Sequence, residues 1–114
     1  MVGADSVPKK LGNGSIQCFT ADSVSYNQSS DYQLTFDLST VYDDYQNLTI
    51  DNICGGFSSV SSRTNSALIR SGSASFKQID SYDQSTGIIT YTITIYSQSG
   101  NCTVTAKPCF YICG

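Results

Sequence analysis

Polar and apolar residues alternate with a period of two along much of this chain. In residues 31–38, Tyr32, Leu34, Phe36 and Leu38 fall on one side and Gln33, Thr35 and Asp37 on the other. Residues 88–96 repeat the pattern more strongly, with Ile89, Tyr91, Ile93 and Ile95 opposed by Thr90, Thr92 and Thr94. Such alternation puts one row in a core and the other in water, which marks a half-buried β-strand. Residues 102–106 follow suit, with Val104 inward and Thr103 and Thr105 outward. Residues 74–82 predict a further strand, which runs into the turn Asp83-Gln84-Ser85-Thr86-Gly87, where the glycine suits a left-handed residue.

Weaker signals complete the outline. Residues 15–20, 48–53 and 109–113 predict short strands, and another begins at 67–69. Cys54-Gly55-Gly56 predicts a sharp change of direction, because glycine tolerates conformations closed to other residues. Residues 57–66, rich in serine, predict a surface loop, as does the turn at 97–101. Pro8 and the glycines of residues 1–14 predict a loose leader ahead of one domain at 15–114. The sum is about seven short strands and no helix. The expected fold is all-β: a small antiparallel β-sandwich or barrel stapled by disulfides, with one solvated, threonine-lined face.

Composition agrees. The 114 residues include no His and no Trp, all nine acidic residues are Asp, and Ser plus Thr supply 30 positions. Losing Glu removes a strong helix former, while the β-branched and aromatic residues that remain abundant suit a pleated surface. Net charge is −3, and Lys9, Lys10, Arg63, Arg70, Lys77 and Lys107 are scattered, so phosphate-driven nucleic-acid binding is excluded. No apolar run approaches the length of a membrane span.

Five cysteines, Cys18, Cys54, Cys102, Cys109 and Cys113, are dense for so small a chain and imply disulfides formed outside the cytosol. An odd count leaves one over, as a free thiol or a bridge to another molecule, so a covalent dimer is one expectation. Cys109 and Cys113, four residues apart on one side of a strand, would sit about 13 Å apart, too far to bond each other. At least one of them should reach back to Cys18 or Cys54. The expected location is extracellular, the chain being a mature form with its secretion leader removed and an initiator Met added. Asn13, Asn27, Asn47 and Asn101 head glycosylation sequons.

The chemistry on offer is narrow. With no histidine and no CxxC pair, neither a zinc site nor redox catalysis is expected, and no cofactor is implied. Asp37, Asp43, Asp44, Asp51, Asp80 and Asp83 offer carboxylate pairs for glycoside hydrolysis, but nine Asp supply pairs in any chain, and no serine motif accompanies them. The segment around Tyr42, Asp43, Asp44 and Tyr45, joined by Tyr82 near a turn, is the candidate recognition surface, since tyrosine offers a flat face and a hydroxyl at small entropic cost. The same acidic segment could hold calcium, although its spacing fits no known loop. In size and composition the chain resembles small secreted cysteine-containing proteins such as effectors and toxins of fungi and other parasites, a resemblance that no motif carries. The expectation is a non-enzymatic secreted module, effector-, toxin- or adhesin-like, that binds a protein or glycan on another cell. A coat protein cross-linked through its odd cysteine is the alternative, and a small Asp-dependent hydrolase a third.

Overall fold

The computed structural model describes residues 18–64, 72–98 and 102–113. Seven strands run through them: β1 (Phe19–Thr20), β2 (Val24–Tyr26), β3 (Ser30–Asp37), β4 (Ile53–Thr64), β5 (Gly72–Asp83), β6 (Ile88–Ser97) and β7 (Cys102–Ile112). Between β3 and β4 the chain makes three single 3-10 turns, Leu38–Thr40, Tyr45–Asn47 and Ile50–Asn52. The fold is all-β and wholly antiparallel in its pairing. The proposed leader, the strand start at 67–69, Asn13 and Asn101 lie outside the described residues.

Among the described residues two sheets form, and they do not close into a barrel. In one, β7 is central: β4 pairs along one side, and β1 and β2 follow each other along the other. The second has the order β3-β6-β5. They meet face to face around Phe110 of β7, whose ring lies 4.8 Å from Tyr91, 5.1 Å from Phe36 and 5.8 Å from Phe76. Ile89, Tyr91, Ile93 and Ile95 of β6 are buried, as their alternation required, together with Val104, Ala106 and Ile112 of β7. Leu38 and Leu48, also buried, cap one end of this core.

Four sequence expectations need correction. Residues 48–53 are not a strand: Thr49 and Asn52 form a capping box around the turn Ile50–Asn52, and β4 starts only at Ile53. Gly55 and Gly56 do not turn the chain but lie within β4, paired with Phe110 and Cys109. The serines from 58 to 62 are strand as well, not loop, because β7 supplies a partner whose ladder overrides their weak local preference. Pro108 does not end β7. It is accommodated opposite a register shift in β4 between Phe57 and Ser59, where the lost donor leaves no gap in the ladder. The strand Val24–Tyr26 gave no sequence signal.

Both Cys109 and Cys113 reach back as expected, to Cys18 and Cys54, with Cα separations of 5.7 and 5.9 Å. Alternation explains why Cys102 is the odd one. Along β7, Cys102, Val104, Ala106, Phe110 and Ile112 are buried in the row that faces the other sheet, whereas Cys109, also buried, belongs to the opposite row. The thiol of Cys102 is free and enclosed on the side away from its potential partners.

Candidate functional site

The loop singled out by sequence is a folded cap. Tyr42 is buried, its ring 5.8 Å from that of Phe19. Tyr45 and Tyr82 do come together: the Tyr82 hydroxyl donates to the Tyr45 carbonyl at 2.5 Å, and Gln84 Nε2 donates to the Leu48 carbonyl at 2.6 Å. Burial, followed by the neighbouring Tyr45, pushes the Tyr82 pKa up to about 12. These contacts latch the cap to the β5–β6 turn. Asp43 is exposed, and Asp44 accepts from the Asn47 side chain. Asn27 and Asn47 are both exposed, the second engaged by that bond. Among the described residues, no three acidic or cysteine side chains converge as metal ligands.

The outer face of the β3-β6-β5 sheet carries an ordered polar network that sequence reasoning did not assemble. Asp80 accepts from Thr92 Oγ1 and Gln78 Nε2, each at 2.5 Å, and from Gln33 Nε2 at 3.1 Å. Asp31 accepts from Lys77 Nζ at 2.7 Å and from Thr94 Oγ1 at 2.8 Å. Register shifts in β5 at Phe76/Gln78 and Ile79/Ser81 deliver Lys77 and Asp80 to this face. Donation by Thr92, Gln78 and Gln33 holds the Asp80 carboxyl below its usual range, and the Lys77 bond, then Thr94, does the same for Asp31. A general acid needs the opposite shift. Tyr96, half exposed, continues the outward row of β6 beyond Thr94.

A further concavity lies elsewhere. At the β4/β5 side the sheets press together, Phe57 meeting Phe76 edge-on at 6.1 Å. At the opposite side they part, leaving an open cleft of about 790 Å³ between Thr20–Val24 and the edge strand β3. Its apolar part comes from Val24, Leu34, Phe36, Val41 and Tyr91, and its polar part from Asp22, Gln33, Thr35, Asp37 and Thr40. Val41 is 48% exposed, which is unusual for an aliphatic side chain so close to the core. Of the residues singled out from the sequence, Asp37 lines this cleft, whereas the tyrosines and Asp43 and Asp44 of the recognition segment do not. The pattern of β3 was legible, but which strand would end up at a sheet edge was not.

No known family model, curated protein or solved structure matches the chain. The site must therefore be read from its own geometry.

Proposed function

We propose that the chain is a secreted binding module, effector-, toxin- or adhesin-like, that takes a protein or glycan partner into the cleft between its sheets. The cleft carries this reading. A concavity of several hundred Å³ with an apolar floor and a few convergent polar groups is the usual form of a ligand site, and here Leu34 and Phe36 supply the floor while Asp22, Thr35 and Asp37 supply the rim. The two disulfides support an oxidising, non-cytoplasmic setting, and among the described residues no helix is long and apolar enough to cross a membrane. The buried position of Cys102 weighs against the cross-linked coat, since its thiol reaches another molecule only if that part of β7 opens.

The test uses glycan and extracellular-protein arrays probed with the labelled wild type and with Val41→Glu. That substitution puts a charge on an exposed cleft residue without entering the core. Binders captured by the wild type and lost with the variant support the reading. Binders retained by both reject the cleft as the site.

A further inference from the structure

β3 ends its sheet, and among the described residues no strand pairs its outer edge. The orientation of its backbone follows from one bond. Leu38 N–H donates to the Gly87 carbonyl at 2.8 Å, on the side facing β6. The register with β6 is unbroken from Ser30 to Asp37, and backbone groups of an antiparallel strand alternate between its two sides. Even-numbered residues of β3 therefore bond β6. Gln33, Thr35 and Asp37 turn their N–H groups to the cleft, with the carbonyls of Gln33 and Thr35. The Asp37 carbonyl accepts instead from Thr40 Oγ1 at 2.8 Å.

Natural sheets usually blunt such an edge with short strands, bulges, proline or lysine. The other outer strands of this fold obey the rule. β1 and β2 have 2 and 3 residues, and β4 and β5 carry register shifts. β3 has 8 residues in regular register, with no Pro and no Lys. A regular edge of that length is a template for another strand.

We infer that the open edge of β3 accepts an extended basic peptide as an added strand. The inference rests on the cleft reading above and gives the ligand its chemistry. Main-chain bonds to Gln33 and Thr35 would supply affinity, and alternate side chains specificity. The inner row of the added strand meets Leu34 and Phe36. The outer row runs beside Asp37, and beside Asp31, which Lys77 already pairs. The cleft lining holds Asp22 and Asp37 and no Lys or Arg, in a chain of net charge −3, so cationic side chains complement it. A second copy of the chain fits poorly. Antiparallel pairing centred on Leu34 would set Asp31 of each copy opposite Asp37 of the other, and like charges directly opposed destabilise a pair.

The test titrates the full-length, disulfide-bonded protein, labelled with ¹⁵N, with a capped heptapeptide in which lysine and valine alternate. Saturable amide shifts are expected at Gln33, Thr35 and residues 20–24, weakening several-fold as salt rises from about 0.05 to 0.5 M. Methylating alternate peptide nitrogens should weaken binding at least about tenfold, because it removes the ladder bonds. Thr35→Pro, which deletes an outward-facing N–H that an edge strand can spare, should weaken it similarly. Should that variant fold poorly, the methylated peptide on the wild type decides alone. Equal binding of the methylated peptide, equal binding of an aspartate–valine peptide, or no shift at β3 overturns the inference. If it is overturned while Val41→Glu still abolishes array binding, the cleft reading stands without it. If Val41→Glu also has no effect, both fall.

Discussion

The space a side chain would need at Gly55 is already filled by the ring of Phe76: a Cβ built there falls 2.2 Å from Phe76 Cζ. The ring is hemmed in by its neighbours, stacked on Tyr91 at 5.5 Å and set edge-on to Phe57 and Phe110. This contact closes the sandwich on the side opposite the cleft. Gly55→Ala should therefore cost about 1–3 kcal/mol, the usual range for overpacking. Urea denaturation measures it, and Phe76→Leu in the same chain should return part of the loss. An unchanged midpoint for Gly55→Ala would show that the two sheets slide apart freely here.

Alkaline pH should unfold the protein through two tyrosines. Tyr91 and Tyr82 are each pushed up to about 12 from 10.0, chiefly by burial. In the unfolded chain both ionise near the ordinary value. Their contribution is therefore complete below pH 10.0 and is lost as pH rises toward 12, where the unfolded state has released protons the native state still holds. Thermal melts across that window should show a falling Tm, and Tyr91→Phe should make the fall shallower. An identical slope in the variant would count against Tyr91 as a contributor.

The acid limb should report the outer-face network. Asp31, Asp80 and Asp83 are all held below 3.8, by Lys77, by Thr92 and by Ser85 as the leading donors. Stability they provide is present above 3.8 and disappears as pH falls through their lowered values, because the unfolded carboxylates take up protons first. Asp31→Asn with Asp80→Asn should flatten this limb and leave neutral-pH circular dichroism unchanged. A limb that stays steep in the double variant would place acid sensitivity elsewhere.

Cysteine accessibility gives a direct check on the pairing. The native, unreduced protein should resist a thiol reagent, and denaturant without reductant should expose one reactive thiol, at Cys102. Loops of 91 and 59 residues put each bridge at about 4–5 kcal/mol on the chain-entropy relation. Replacing Cys54 and Cys113 together by serine should remove a large share of a small domain's stability. Rapid labelling of the native protein, or a labelled peptide other than that of Cys102, would contradict the arrangement.

What was readable in the chain depended on whether a residue's fate was local. The rows of β3 and β6 carry their own burial pattern, and the Gly87 turn has the positive φ of 82° that its position asked for. β4 was missed because Gly55, Gly56 and the serines after them have no intrinsic preference for a strand. Their pairing with β7 comes from about fifty residues away, and Gly55 is explained only by Phe76. Pro108 concealed the continuity of β7, and with it the parity that sets Cys102 apart from Cys109. Tyr42, Tyr45 and Tyr82, grouped from the sequence as a recognition surface, serve the cap itself: the Tyr42 ring packs on Phe19, and the Tyr82 hydroxyl bonds the Tyr45 carbonyl. The cleft had no sequence signature because it is made by two strand edges that meet only in three dimensions.

The position of β7 also sets a timetable. β1, β2 and β4 pair with it and not with one another, and both disulfides terminate on it or just beyond. The β5–β6 hairpin and its partner β3 are complete in the growing polypeptide before β7 emerges from the ribosome. Three strands of the other layer must then wait as unpaired chain. During that interval Cys18 and Cys54 have no correct partner, only each other and Cys102. Newly made molecules are therefore exposed to mispairing until Cys109 and Cys113 become available, and a disulfide isomerase that reverses a Cys18–Cys54 bond should raise the yield of native protein.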